Sequence, residues 1–120
     1  MSLKLKSIAD KGDLQKERLV LSVINDTDLG FYALLRTSLN NGVVTTGVHN
    51  AFWFPYKSVK AGDLVVVYSK RGTESQKGVE GGRTAHFLYW GRTEPLWGTH
   101  DKGVVLLYAP TWHSAGVDEL

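Results

Sequence analysis

Cysteine is absent from this 120-residue chain, which excludes disulfide frameworks, thiolate metal sites and cysteine nucleophiles. An excess of charge of one sign is also missing. The 14 basic and 12 acidic residues leave a formal net charge of +2, too small for nucleic-acid or membrane-surface attraction to follow from charge alone. No apolar run approaches the roughly 20 residues that cross a bilayer as a helix. The opening MSLKLKSIADKGD carries charges throughout, so neither a signal peptide nor a membrane anchor is expected, and the expected location is cytoplasmic. Internal repeats, heptads and low-complexity segments are lacking too.

What is present reads as one domain over residues 1–120, with 42% apolar and 22% charged residues in the usual range for a folded soluble chain. The stretch from Ala51 to Gly72 organises the pattern. Its aromatic run Phe52-Trp53-Phe54 must end near Pro55, which has no backbone N–H to give a sheet. A turn at Lys60-Ala61-Gly62-Asp63 follows, and Leu64–Tyr68 is β-branched and aromatic, as a core strand is.

The flanking segments extend the same theme. Leu3–Ile8 alternates apolar and polar residues, with lysines suited to the open side of an edge strand, so residues 1–16 are an N-terminal edge strand and turn. Leu19–Ile24 is apolar on both faces and is expected to be central. Asn25–Asp28 is a turn in which Asp26 and Asp28 cap backbone N–H groups. Leu29–Thr37 is expected as a strand, and Asn40-Asn41-Gly42 as a hairpin turn. Val43–Val48 continues in β structure. Lys70–Arg83, with its glycines and charges, is expected to be a long mobile loop. Thr84–Trp90 and Val104–Tyr108 complete the strands, around the apolar plug Pro95-Leu96-Trp97, and residues 113–120 form a loose tail. About seven to eight short, mainly antiparallel strands separated by turn signals make an all-β sandwich.

Chemistry is harder to find. The four histidines, His49, His86, His100 and His113, show no metal-ligand spacing, and no metal or cofactor is expected. The ingredients of a hydrolytic triad (His86 or His100, Asp101, and Ser69 or Ser114) occur without a Gly-x-Ser-x-Gly elbow. An enzyme built on His86 or His100 is therefore the least supported of three readings. The second draws on Lys70, Arg71, Lys77 and Arg83 in the glycine-rich loop, with Arg92 at its base, as an anion site for nucleic acid or nucleotide. The first rests on surplus aromatics: Trp53, Tyr56 and Trp97 are candidates for contact with a protein partner or a second copy. Alternation sends Trp53 to the opposite face from Phe52 and Phe54, leaving one of those faces to be covered by something else.

The order of the pieces adds to this reading. Leu19–Asn25 followed by Leu29–Leu35 resembles the opening of lamin tail domains. Phe52-Trp53-Phe54-Pro55, a spacer, and then Ala61–Ser69 resemble that family's central hairpin. Tyr89-Trp90-Gly91, Pro95-Leu96-Trp97 and Lys102–Tyr108 resemble its last two strands. The similarity runs from Leu19 to Ala109, about three quarters of the chain. It implies an immunoglobulin-like sandwich acting as a non-catalytic binding or scaffolding module.

Overall fold

The structure is a computed structural model that describes residues 1–120. Its strands are β1 (Leu3–Ala9), β2 (Arg18–Val23), β3 (Thr27–Asp28), β4 (Tyr32–Asn40), β5 (Val43–Val44), β6 (Asn50–Trp53), β7 (Ser58–Val59), β8 (Leu64–Tyr68), β9 (Ser75–Val79), β10 (Arg83–Tyr89) and β11 (Lys102–Tyr108). Eight of these run four residues or more, the number the turn spacing predicts. No helix is long and apolar enough to cross a membrane.

One sheet has the order β1-β2-β8-β10-β9, antiparallel throughout except for the parallel pair β8–β10. In the second, β4 pairs with β11 along one side and with β5 and β6 along the other. A short β3–β7 pair closes a corner. The fold is an all-β sandwich, and its core lies between the two sheets. Leu19, Leu21, Val23, Val65, Val67 and Leu88 of the first sheet meet Tyr32 and Leu34 of the second, with Phe54, Leu96 and Trp97 filling from loops. In β2 the period of two is plain: Leu19, Leu21 and Val23 are buried while Arg18, Val20 and Ser22 are half-buried.

Several local expectations hold. β6 stops at Trp53 ahead of Pro55. Asn41 and Gly42 turn the β4–β5 hairpin with φ of 53° and 78°, the positive pair that matches strand twist in a two-residue turn. Asp28 accepts from the backbone N–H groups of Gly30 (2.8 Å) and Lys57 (2.9 Å), and Asp26 from that of Ala61 (2.9 Å).

Three expectations need correction. Residues 70–83 are not one long loop, because Ser75–Val79 pairs antiparallel with β10 as an edge strand. Polar side chains suit that edge, so the segment's low hydrophobicity concealed a strand. Leu29–Phe31 forms a 3₁₀ turn before β4 begins, since Asp28 caps Gly30 and draws the backbone inward. Beyond Val44, residues 45–48 leave the sheet, because β6 takes over the pairing with β4.

Candidate interaction surface

The outer face of the second sheet is uncharged along its rows and apolar in the two nearest Trp53. Strand register sets Leu107, Ala33 and Trp53 in one row across β11, β4 and β6, and Val105, Leu35 and Ala51 in the next. Gly103 and Thr37 form a third pair. No residue in these rows is charged. The opposite parity, Tyr32 and Leu34 with Leu106 and Phe52, faces the core.

At the Trp53 end the surface becomes aromatic. Trp53 is 55% exposed and Trp112 52%, and their rings meet edge-on at 4.9 Å. The Trp53 indole donates to the carbonyl of Gly30 (3.2 Å), which holds the ring in place. Tyr56 (66% exposed) lays its ring against Gly30, where any Cβ would collide with it. Tyr108, though exposed, is on the opposite side of the sheet, where it packs on Tyr32 (5.2 Å) and Phe31 (6.4 Å). The alternation argument for Trp53 therefore holds: Phe52 and Phe54 turn inward to Trp90 and the core while Trp53 faces out.

Trp97 does not belong to this surface. It is 4% exposed and packs in the core against Trp90. Both Leu96 and Trp97 are drawn in because their backbone N–H groups donate to the buried carboxyl of Glu17, at 2.9 and 3.1 Å. Trp97 offers almost no surface to a partner, so the candidate aromatics are Trp53 and Tyr56, joined by Trp112.

The basic residues divide into two groups. Lys70, Arg71 and Arg92 line one open depression of about 380 Å³ with Leu14, Gln15 and Thr93. They converge because Gly91 N–H donates to the Lys70 carbonyl (3.1 Å) and Arg92 N–H to that of Ser69 (2.7 Å), which clamps the two segments together. Lys70 also sits 5.2 Å above the Tyr68 ring. Lys77 and Arg83 lie elsewhere: Lys77 is on the β9 edge opposite Ala85, and Arg83 donates to the Glu80 carbonyl (2.9 Å). The formation of β9 separates them from the other cations.

The residues considered for catalysis are engaged in other ways. His86, 4% exposed, meets Asp63 at 2.9 Å, and its Nδ1 is buried without a partner. Asp63 also accepts from the backbone N–H groups of Lys60 and Thr84, both at 3.0 Å. Burial pushes the Asp63 carboxyl upward. The hydrogen bond from His86, the two backbone donors and the charge His86 carries when protonated outweigh burial and hold it below 3.8. Ser69 is buried and donates to Glu17. Asp101 is bonded to Thr99 and lies 3.5 Å from Lys102. His100 lines a cleft of about 370 Å³ with Lys11, Lys102 and Trp97, away from the buried His86. His, Asp and Glu side chains gather nowhere in a group of three that could hold a metal.

Two features escaped the sequence reading. Glu17 lies in the polar segment Asp13–Arg18, which gives no sign that its carboxyl is fully buried. Trp112 lies between the end of β11 and the tail, where no strand period indicates a contact with Trp53. Searched against models of known protein families, the chain matches none, and no curated protein matches it significantly.

Proposed function

We propose that the protein is a non-catalytic interaction module, lamin-tail-like in design, which engages a macromolecular partner through the aromatic end of its four-stranded sheet. The observation that carries this reading is the exposed Trp53–Trp112 pair, set at the end of an uncharged apolar sheet face. Contiguous apolar surface held in fixed geometry is a mark of binding sites, and tryptophan dominates their energetics. The immunoglobulin-like sandwich that the family resemblance implies suits this role, as does the cytoplasmic location expected from the charged N-terminal segment.

A photocrosslinking residue placed at Trp53 or Tyr56 is expected to yield discrete higher-mass adducts in cells, and the same residue at Gln15 none. With the captured partner in hand, Trp53→Ala weakens binding about thirty-fold, the ~2 kcal/mol of an interface tryptophan, at unchanged melting temperature. Absence of adducts at both aromatic positions would overturn the reading.

A second reading is supported by the convergence of Lys70, Arg71 and Arg92 on one depression. None of the three forms an ion pair with a carboxylate, so their donors are free for phosphate oxygens. It predicts that labelled single-stranded DNA or RNA binds at about 50 mM salt and loses affinity steeply by about 200 mM. Arg71→Glu with Arg92→Glu is expected to abolish that binding, whereas Lys77→Glu leaves it intact. Equal binding by the double variant removes this reading.

A further inference from the structure

The sheet edges of this fold are unequal. β1 carries Lys4 and Lys6 and a register shift between Leu5 and Ser7. β9 presents Ser75, Gln76 and Lys77. β5 is two residues long, and β6 runs four residues, ending two before Pro55. Charge, bulges, brevity and nearby proline are the devices that keep an edge from pairing with another chain. β11, seven residues long, shares only the nearby proline, with Pro110 two residues past its end: from Gly103 to Tyr108 it is uncharged, apolar, and in unbroken register with β4.

The open side of β11 is defined by its bonds. Leu39 N–H donates to the Asp101 carbonyl (2.8 Å) and Ala109 N–H to the Phe31 carbonyl (2.7 Å). In the β4–β11 register these place the odd-numbered residues of β11 in hydrogen-bonded pairs with β4. The N–H and C=O groups of Lys102, Val104, Leu106 and Tyr108 therefore point away from the sheet. Beside this edge lies a largely apolar groove of about 390 Å³ formed by Met1, Leu3, Leu5 and Leu106, with Lys4 as its one charged lining residue.

We propose that β11 pairs antiparallel with β11 of a second copy of this chain across a two-fold axis at Val105. In that register Val104 lies opposite the partner's Leu106, and Lys102 opposite the partner's Tyr108. Each pair of edge-facing residues exchanges both of its backbone bonds. The charge pattern selects this occupant. With one cation at the start of β11 and none after it, antiparallel self-pairing keeps the two lysines about 20 Å apart, at ~3.3 Å per residue. Parallel pairing would set them side by side. Direct partners in an antiparallel ladder share a face, so each copy's Leu106 reaches the groove edge of the other, and the contact is isologous and closed. The strand edge, not the Trp53 side chain, makes the contact, so this inference and the proposed partner surface stand or fall separately.

Sedimentation equilibrium from about 1 to 100 µM tests it. The wild-type chain is expected to dimerise. Val105→Lys and Val105→Glu, each setting like charges face to face at the axis, are expected to weaken the dimer at least tenfold. An equimolar mixture of the two variants restores association, while Trp53→Ala leaves the wild-type dimer intact. A wild-type chain that stays monomeric, a dimer indifferent to both Val105 variants, or a mixture that does not reassociate overturns the proposal. Amide exchange in the wild-type chain provides a test without substitutions: Val104 and Leu106 must exchange more slowly as concentration rises, and concentration-independent exchange rejects the pairing.

Discussion

Glu17→Ala is expected to lower unfolding stability by about 4 kcal/mol, as large an effect as truncating a buried aromatic side chain of the core. Each carboxyl oxygen of Glu17 receives two donors. Oε1 accepts from the backbone N–H groups of Gly12 (2.9 Å) and Trp97 (3.1 Å), and Oε2 from that of Leu96 (2.9 Å) and the Ser69 hydroxyl. Truncation leaves all four donors without a partner, three of them in contacts closed to solvent. A buried donor left unpaired costs roughly 1–3 kcal/mol, and partial entry of water on the Gly12 side reduces the sum. For a domain of this length that corresponds to a melting point lower by about 15 °C. Glu17→Gln does not rescue it fully. Either orientation of the amide turns its NH₂ group towards a pair of donors, and only the Ser69 hydroxyl can rotate to accept, so a loss of about 2 kcal/mol remains. The comparison is Glu74→Ala, which removes an exposed 3.5 Å contact with Lys57 and should change stability by less than ~1 kcal/mol. Calorimetry that finds Glu17→Ala within about 3 °C of the wild type would show that the loops at Gly12 and Leu96 hold without it.

Asp63→Ala ranks second, at about 3 kcal/mol near neutral pH. Its carboxylate ties the Lys60 turn to the start of β10 and to His86, and removal leaves two backbone N–H groups and the imidazole unsatisfied. Here the effect depends on pH. The folded chain holds the Asp63 pKa below its ordinary 3.8, so Asp63 contributes stability in full above 3.8. That contribution declines as pH falls through the lowered folded value, where the carboxyl takes up a proton. Urea titrations of wild type and Asp63→Asn should therefore differ most near neutrality and converge at the acid end. A gap between the two that stays constant below pH 3.8 would assign the effect to packing instead of charge.

The backbone of this fold was largely legible because its signals are local. Period-two alternation located β1, the apolar run Leu19–Ile24 located β2, the Asn41-Gly42 pair located the β4–β5 hairpin, and Pro55 located the end of β6. The side-chain arrangements were not legible, since each depends on residues brought together from distant parts of the chain. Glu17 joins Ser69, Leu96 and Trp97 across 52, 79 and 80 residues, from a segment that reads as solvated surface. Lys70 and Arg92 meet only because backbone bonds clamp their segments, and Lys77 departs only because β9 forms. Trp97 lies outside any strand, so no alternation could assign its side. Trp53 lies inside one, so its separation from Phe52 and Phe54 could be read directly, while which of the two faces is outward came only with the packing of the sheets.

The parallel alignment of β8 and β10 gives the intervening residues a role that their composition hides. A chain leaving the end of β8 must travel back along the whole strand before β10 can start in the same direction. Parallel neighbours need a crossover of about a dozen residues, and residues 69–82 are that return path, with β9 formed along its way. The glycine-rich stretch is therefore asymmetric towards changes in length. Extra residues at its exposed tip leave the topology untouched. Deletions that shorten it to a hairpin would force β10 to reverse direction, abolishing the parallel register with β8 that places Leu88 in the core. A region that resembles dispensable linker is the one place in the chain where length itself is part of the fold.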